Sequence, residues 1–102
     1  MMSEFQQKVY SLCKKIPRGK VSTYGEIARA LGKEGVMSRA VGNALNKNHF
    51  GFVPCHRVIK SDGSIGGFAS GSLKKIYLLR KEGLEIKNNK IVGFKKRLYR
   101  YE

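Results

Sequence analysis

Acidic residues are scarce in this chain. Seven Asp and Glu stand against 21 Lys and Arg, a net charge of +14 at neutral pH. That imbalance costs self-repulsion in a small folded body and is relieved by a polyanion, with nucleic acid the usual one because binding releases condensed counterions. Long apolar runs are also missing. Apolar runs such as 52–54 and 77–79 are far too short to span a bilayer, and no amphipathic helix pairs bulky apolar residues with a lysine stripe, so a lipid partner is disfavoured and no membrane role is expected. Residues 1–6 lack the basic-then-apolar pattern of a secretory leader, so an intracellular, cytoplasmic protein is expected. Two cysteines, Cys13 and Cys55, and two histidines cannot assemble a zinc set at ordinary spacing, so no metal is expected. A disulfide is disfavoured in a reducing compartment, which leaves two free thiols. There is no internal repeat and no low-complexity block.

What remains is 102 residues with 41% hydrophobic composition, enough for one domain (1–102) around one modest core, with a basic tail from about 84 to 102. Phe5, Val9, Leu12 and Ile16 recur at helical spacing and predict a helix over 3–16, with Cys13 beside its apolar face. Pro17-Arg18-Gly19-Lys20 predicts a turn, and Val21-Ser22 a short extended piece. Thr23-Tyr24-Gly25-Glu26 has the spacing of a capping box, and Gly32 is placed to end the helix that it opens. Ser38 is read as the cap of a second helix with Val41, Ala44 and Leu45 inside. Two short helices joined by a glycine-containing turn suggest a helix-turn-helix. A functional loop follows over 48–72. The last helix is predicted over 72–82 with Leu73, Ile76, Tyr77 and Leu79 or Arg80 inward and Gly83 as its stop. In the tail, Asn88-Asn89 predicts a hairpin turn between 84–86 and 91–92. The expected fold is mainly α with small β elements, a winged-helix-like helix-turn-helix DNA-binding domain.

The sharpest chemical feature is Pro54-Cys55-His56-Arg57. A thiol reacts as thiolate, cationic neighbours favour that form, and Pro54 stiffens the turn that presents it. An acid is then wanted to orient the imidazole and favour its protonated form. Residue types alone leave open a buried cysteine beside an unrelated surface histidine.

With Val58-Ile59 this motif resembles the active-site signature of the O6-alkylguanine-DNA alkyltransferases, the methylated-DNA–protein-cysteine methyltransferases. The similarity extends to Val21-Ser22-Thr23-Tyr24-Gly25-Glu26-Ile27-Ala28, to Ser38-Arg39-Ala40-Val41-Gly42-Asn43-Ala44-Leu45, to Asn48, and to Lys75, Leu78-Leu79 and Glu82-Gly83, all in order over 5–83. It implies direct DNA repair: transfer of an alkyl group from O6-alkylguanine in double-stranded DNA to Cys55, once per molecule, because no group present could cleave the thioether. It implies no cofactor, and the protein is taken as a monomer. The implied catalytic set is Cys55 as acceptor, His56 as base through a water, Glu82 as its hydrogen-bond partner, and Asn48 as a hinge. Arg39 is implied to fill the gap left by the extruded nucleotide, and Tyr24 to press on its phosphate. Ser38, Ala40, Gly42 and Asn43 belong to the same minor-groove face, although small residues there also suit tight helix packing. Pro54, Arg57, Val58, Gly67, Phe68, Ala69 and Ser70 are placed around the guanine pocket, with Gly66 and Gly67 allowing close backbone approach. Phe68 stands where the family has a Tyr and lacks its hydroxyl donor; Ala69 and Ser70 also depart from the pattern. Two other readings stay open. One is an alkyltransferase-like lesion sensor, a group in which the reactive cysteine is replaced. The other is a plain helix-turn-helix regulator, which needs neither the Cys-His pair nor Glu82.

Overall fold

The computed structural model describes residues 2–32, 37–48, 51–67 and 71–101. Its first helix, α1 (Glu4–Cys13), opens on a capping box in which Ser3 and Gln6 each accept from the other's backbone N–H at 3.1 and 2.9 Å. The helix ends three residues before Ile16, yet the apolar stripe continues. Lys15 and Ile16 donate to carbonyls three residues back, and this tighter turn still sinks Ile16 completely. Strand β1 (Ser22–Thr23) leads directly into α2 (Tyr24–Ala30). There Thr23 accepts from the Glu26 backbone, while the Glu26 carboxylate turns to Arg29 and Arg100 instead of closing the box. Gly32, at φ +76°, follows the end of α2 as expected of a glycine stop.

Helix α3 (Met37–Asn46) begins one residue before Ser38, so Ser38 lies inside its first turn and is not its cap. Its oxygen faces α2: a Cβ built on Gly25 would sit 3.8 Å from it. A 3-10 turn (Cys55–Arg57) then runs into β2 (Val58–Ile59), which pairs in parallel with β1, Ser22 against Val58 and Thr23 against Ile59. Parallel pairing across so many intervening residues is invisible to periodicity, and it ties the entrance of α2 to the strand leaving Cys55. Val21 extends the arrangement by bonding through both its N–H and its carbonyl to residues 97 and 99.

Helix α4 (Ser72–Lys81) ends as expected at Gly83, φ +92°. Of its expected inward face, Leu79 is buried and Ile76 packs against the core, whereas Leu73 and Tyr77 are 84% and 59% exposed, Arg80 is exposed, and Lys75 is buried instead. A lysine can face inward when oxygen acceptors await it, and three do here. The hairpin of β3 (Ile86–Lys87) and β4 (Lys90–Ile91) is present, with Asn88 and Asn89 at φ +50° and +63°, the two positive angles that a two-residue type I′ turn requires. A short α5 (Phe94–Arg97) follows. The basic tail is folded: Tyr101 is buried and donates to the Leu12 carbonyl at 2.5 Å.

Five helices and two small two-stranded sheets among the described residues make the fold mainly α with small β elements. No helix among them is long and apolar enough to cross a membrane. Two apolar clusters fill it. One gathers Val9, Tyr10, Cys13, Ile16, Ile27, Val41, Leu45 and Val58, and the other Val21, Ile59, Ile65, Leu79, Leu84, Ile86 and Ile91. Because successive strand residues point to opposite sides, Val58 enters the first cluster and Ile59 the second. The parallel pair is therefore the wall between them, and Cys55 sits at one end of it.

Tyr10 fastens α1 to α3 by donating to the Ala44 carbonyl at 2.7 Å. In Tyr10→Phe that carbonyl keeps the Lys47 N–H at 3.2 Å, so no acceptor is stranded. The expected cost is about 1 kcal/mol. Thermal unfolding followed by circular dichroism should show a Tm roughly 4–8 °C lower with the secondary-structure content unchanged.

Candidate active site

The site is built on the turn that follows α3. Asn48 donates its backbone N–H to Leu45 in the last turn of α3 at 3.0 Å and its side-chain amide to the Val53 carbonyl at 3.1 Å and to the Cys55 sulfur. It therefore couples the end of α3 to the thiol. The sulfur lies 3.6 Å from the same Val53 carbonyl and is buried, the residue being 8% exposed. Burial pushes the thiol pKa up, and the Asn48 amide and the Lys75 ammonium oppose that without cancelling it. Cys55 at rest is a thiol.

Behind it lies a carboxylate cluster. Glu82, the residue closing α4, accepts from Arg57 through both oxygens, 2.9 and 2.7 Å, and meets His56 Nε2 at 2.9 Å. Arg57 also donates to the Ile16 carbonyl at 2.8 Å. Burial raises the carboxyl pKa, and the hydrogen bonds from Arg57 and His56 outweigh it, leaving Glu82 below the usual carboxylate value. His56 moves the other way from expectation. Burial holds its pKa down, and the carboxylate does not restore it because Arg57 and Lys75 add like charge. The imidazole is therefore neutral at pH 7. With Nε2–H donated to Glu82, its basic lone pair is on Nδ1, the arrangement a general base needs.

The component that sequence reasoning underrated is Lys75, 1% exposed. Its ammonium donates to the carbonyls of Val58 (2.7 Å) and Gly67 (3.0 Å) and to the Tyr24 hydroxyl (3.4 Å), and lies 5.7 Å from the centre of the Tyr24 ring. Desolvation lowers its pKa to about 8. The available signal was its placement four residues before Leu79, on one helical stripe.

Two residues expected at the pocket wall face elsewhere. Val58 has its side chain wholly enclosed in the core, and the guanidinium of Arg57 is turned to Glu82 and Ile16. Val58 contributes a carbonyl and Arg57 a clamp. Pro54 opens the 3-10 turn, half-buried. Gly66 takes φ +75°, where a side chain would be strained, and a Cβ there would come within 3.2 Å of the Lys60 side chain and 3.5 Å of the Tyr24 hydroxyl. A Cβ on Gly67 would meet nothing within 4 Å. Phe68, Ala69 and Ser70 lie outside the described residues.

The face expected to meet DNA is on α2 and α3. Tyr24, half-buried at the first position of α2, lies against Gly42 of α3, where a Cβ would sit 3.9 Å from its ring. Arg39 and Asn43, one helical turn apart, are exposed, with Ala40 and Gly42 half-buried beside them.

The chain matches the family described as 6-O-methylguanine DNA methyltransferase, DNA binding domain, over residues 4–84. A methylated-DNA–protein-cysteine methyltransferase of Methanosarcina acetivorans is 49% identical over 82 residues, covering 79% of this chain and 52% of the relative. The chain thus spans about half the length of that curated relative. Among solved structures, Mycobacterium tuberculosis OGT in complex with DNA superposes with a TM-score of 0.76 at 41% identity, covering 80% of this chain and 51% of that one. S. pombe Atl1 in complex with damaged DNA containing O6-carboxymethylguanine gives 0.81 at 35% identity, covering 99% of each chain.

A lowered carboxyl pKa is also a statement about stability. The stabilisation from Glu82 is fully present above 4.5, the ordinary value, and is lost as pH falls through its lower folded value. At pH 7, Glu82→Gln, which strands the Arg57 charge, should cost about 3 kcal/mol in urea unfolding. That deficit should hold down to about 4.5, the ordinary value, and shrink as the titration is repeated from there to pH 3; a gap independent of pH throughout would show that the acid is not ionised in the folded state.

Proposed function

The chain belongs to the 6-O-methylguanine DNA methyltransferase DNA-binding domain family, and on that premise we propose that it repairs O6-alkylguanine in duplex DNA by taking the alkyl group, once, onto Cys55. The observation that carries the proposal is the Glu82–His56 hydrogen bond at 2.9 Å beside a buried cysteine, which supplies a neutral, oriented base next to a thiol that needs one.

The alkylated oxygen lies at the base edge inside the stack, so a buried thiol meets it only if the nucleotide swings out. Arg39 and Asn43 face the minor groove, Arg39 fills the space left behind, and Tyr24 at the start of α2 meets the rotated phosphate. Gly66 and Gly67 let the backbone close on the extruded guanine. The Cys55 proton passes through a water to His56 Nδ1. The sulfur then attacks the alkyl carbon in line, an S–C bond forms, and the C–O6 bond breaks with its electron pair left on the oxygen, which is reprotonated. Phe68 has no donor, so that last proton comes from a water, which the protonated His56 replenishes through the solvent. The product is a thioether that nothing in the chain can cleave. Glu82, held on its other side by Arg57, and Asn48 are positioning groups for base and sulfur.

A second reading is supported by the match with S. pombe Atl1 along 99% of both chains. In it, the same face binds and flips the lesion without transfer and marks it for other repair factors. A sensor needs no nucleophile, and the retained Cys55 with its base favours transfer.

Intact mass spectrometry after incubation with a duplex carrying one O6-methylguanine separates these readings. The expected result is one added methyl on Cys55, at most one per molecule. It should be absent in Cys55→Ser and slowed by about 10²–10⁴-fold in His56→Gln, the usual contribution of a general base. Tight lesion binding with no mass change favours the sensor, and equal affinity for damaged and undamaged duplex favours a simple DNA-binding regulator.

A further inference from the structure

The tail after residue 84 lies beyond the family match and carries two acids, Glu85 and Glu102, against Lys87, Lys90, Lys95, Lys96, Arg97 and Arg100. Arg100 turns to Glu26, and Lys95, Lys96 and Arg97 form most of α5 and are exposed. The fold brings further cations beside them. Arg97 donates to the Gly19 carbonyl at 3.3 Å, Lys20 donates to the Lys96 carbonyl at 2.9 Å, and Arg18 donates to the Lys81 carbonyl at 3.0 Å. The turn at 17–20, the end of α4 and α5 are thereby stitched into one surface by cations bonded to backbone oxygens.

Part of this is structural, since Arg18 and Lys20 sit at helix C-termini where the macrodipole welcomes positive charge. A carbonyl, however, neutralises nothing. The ion pairs recorded among the described residues lie elsewhere, on Glu4, Glu26 and Glu82. Among the described residues, then, no carboxylate pairs with these cations, and the surface is held in shape by bonds that do not consume its charge. It is also separate from the α3 face: α3 packs on α1 and α2 over the first apolar cluster, whereas α4 and the hairpin cover the second.

We infer that Arg18, Lys20, Lys81, Lys95, Lys96 and Arg97 form a second DNA-backbone contact, independent of the lesion and of the α3 face. It rests on the DNA-repair reading and adds to it. Phosphodiester is the chemistry recognised: the surface offers dispersed guanidinium and ammonium donors, and the exposed ring beside it, Tyr77, has the Lys81 ammonium 6.0 Å from its centre. The phosphates belong either to the flank of the duplex held by α3 or to a second duplex.

The test compares Lys95→Gln/Lys96→Gln with a control of equal charge, Lys8→Gln/Lys87→Gln. Affinity for undamaged and O6-methylguanine duplexes is measured by fluorescence anisotropy across a salt series, on a long duplex and on one trimmed to the α3 footprint. Each phosphate contact contributes about 0.9 to the slope of log K against log salt, so the α5 variant should lose about 2 from that slope. The control should lose much less, and the ratio of lesion to undamaged affinity should not move. If the loss is confined to the long duplex, the phosphates are on the flank; if it appears on the short duplex with two duplexes bound per protein, they are on a second molecule. An unchanged slope on both duplexes, or an equal loss in the control, overturns the inference. A failure of the DNA-repair reading would show differently, as loss of lesion preference in the unmodified protein while the slope difference remains.

Discussion

One carboxylate holds the site together. Glu82 closes α4, receives a two-pronged guanidinium from the residue that ends the 3-10 turn, and takes the imidazole from the middle of that turn. Through Arg57 the same cluster reaches the carbonyl of Ile16, where the chain leaves α1. Three segments distant in sequence thus share one charge. Such a cluster is costly to bury, and it is tolerable because Arg57 is bidentate and His56 occupies a remaining lone pair. Its return is geometric: the ring of His56 cannot rotate without breaking the bond that fixes its tautomer.

Lys75 does for the backbone what Glu82 does for the side chains. A single ammonium gathers carbonyls from β2 and from the glycine loop, together with the hydroxyl that begins α2. Each acceptor belongs to a different wall of the site. Removing water from the lysine lowers its pKa to about 8, which still leaves it mainly charged at neutral pH. That charge favours thiolate at Cys55, and burial disfavours it more.

Legibility from sequence followed the range of the forces involved. Features set by neighbouring residues were readable: the Thr23 cap, the stops at Gly32 and Gly83, and the Asn88-Asn89 turn all follow from local backbone chemistry. The pairing of His56 with Glu82 was reachable only through family resemblance, since nothing local links the turn to the end of α4. What was misread depended on tertiary partners. Leu73 and Tyr77 look like an inner stripe until the three oxygens waiting for Lys75 are known. Ser38 looks like a cap until α3 is seen to start one residue earlier. The parallel β1–β2 pair leaves no periodic trace because each strand is two residues long.

The two titration shifts at the centre make sense together. A permanently ionised, accessible thiolate would be open to any electrophilic solute, and on the proposed reading an acceptor that works once cannot spare such losses. Here burial keeps the sulfur protonated, and burial also keeps His56 neutral and able to take a proton. Both shifts favour the neutral pair at rest. The ion pair forms only when something stabilises it, and an alkylated purine that excludes water and offers its carbon in line to the sulfur would do so by consuming the thiolate as it forms. On the proposed reading, the cost of separating charge at a buried thiol restrains reaction at rest, and Glu82 and Lys75 would lower that cost at the moment of transfer.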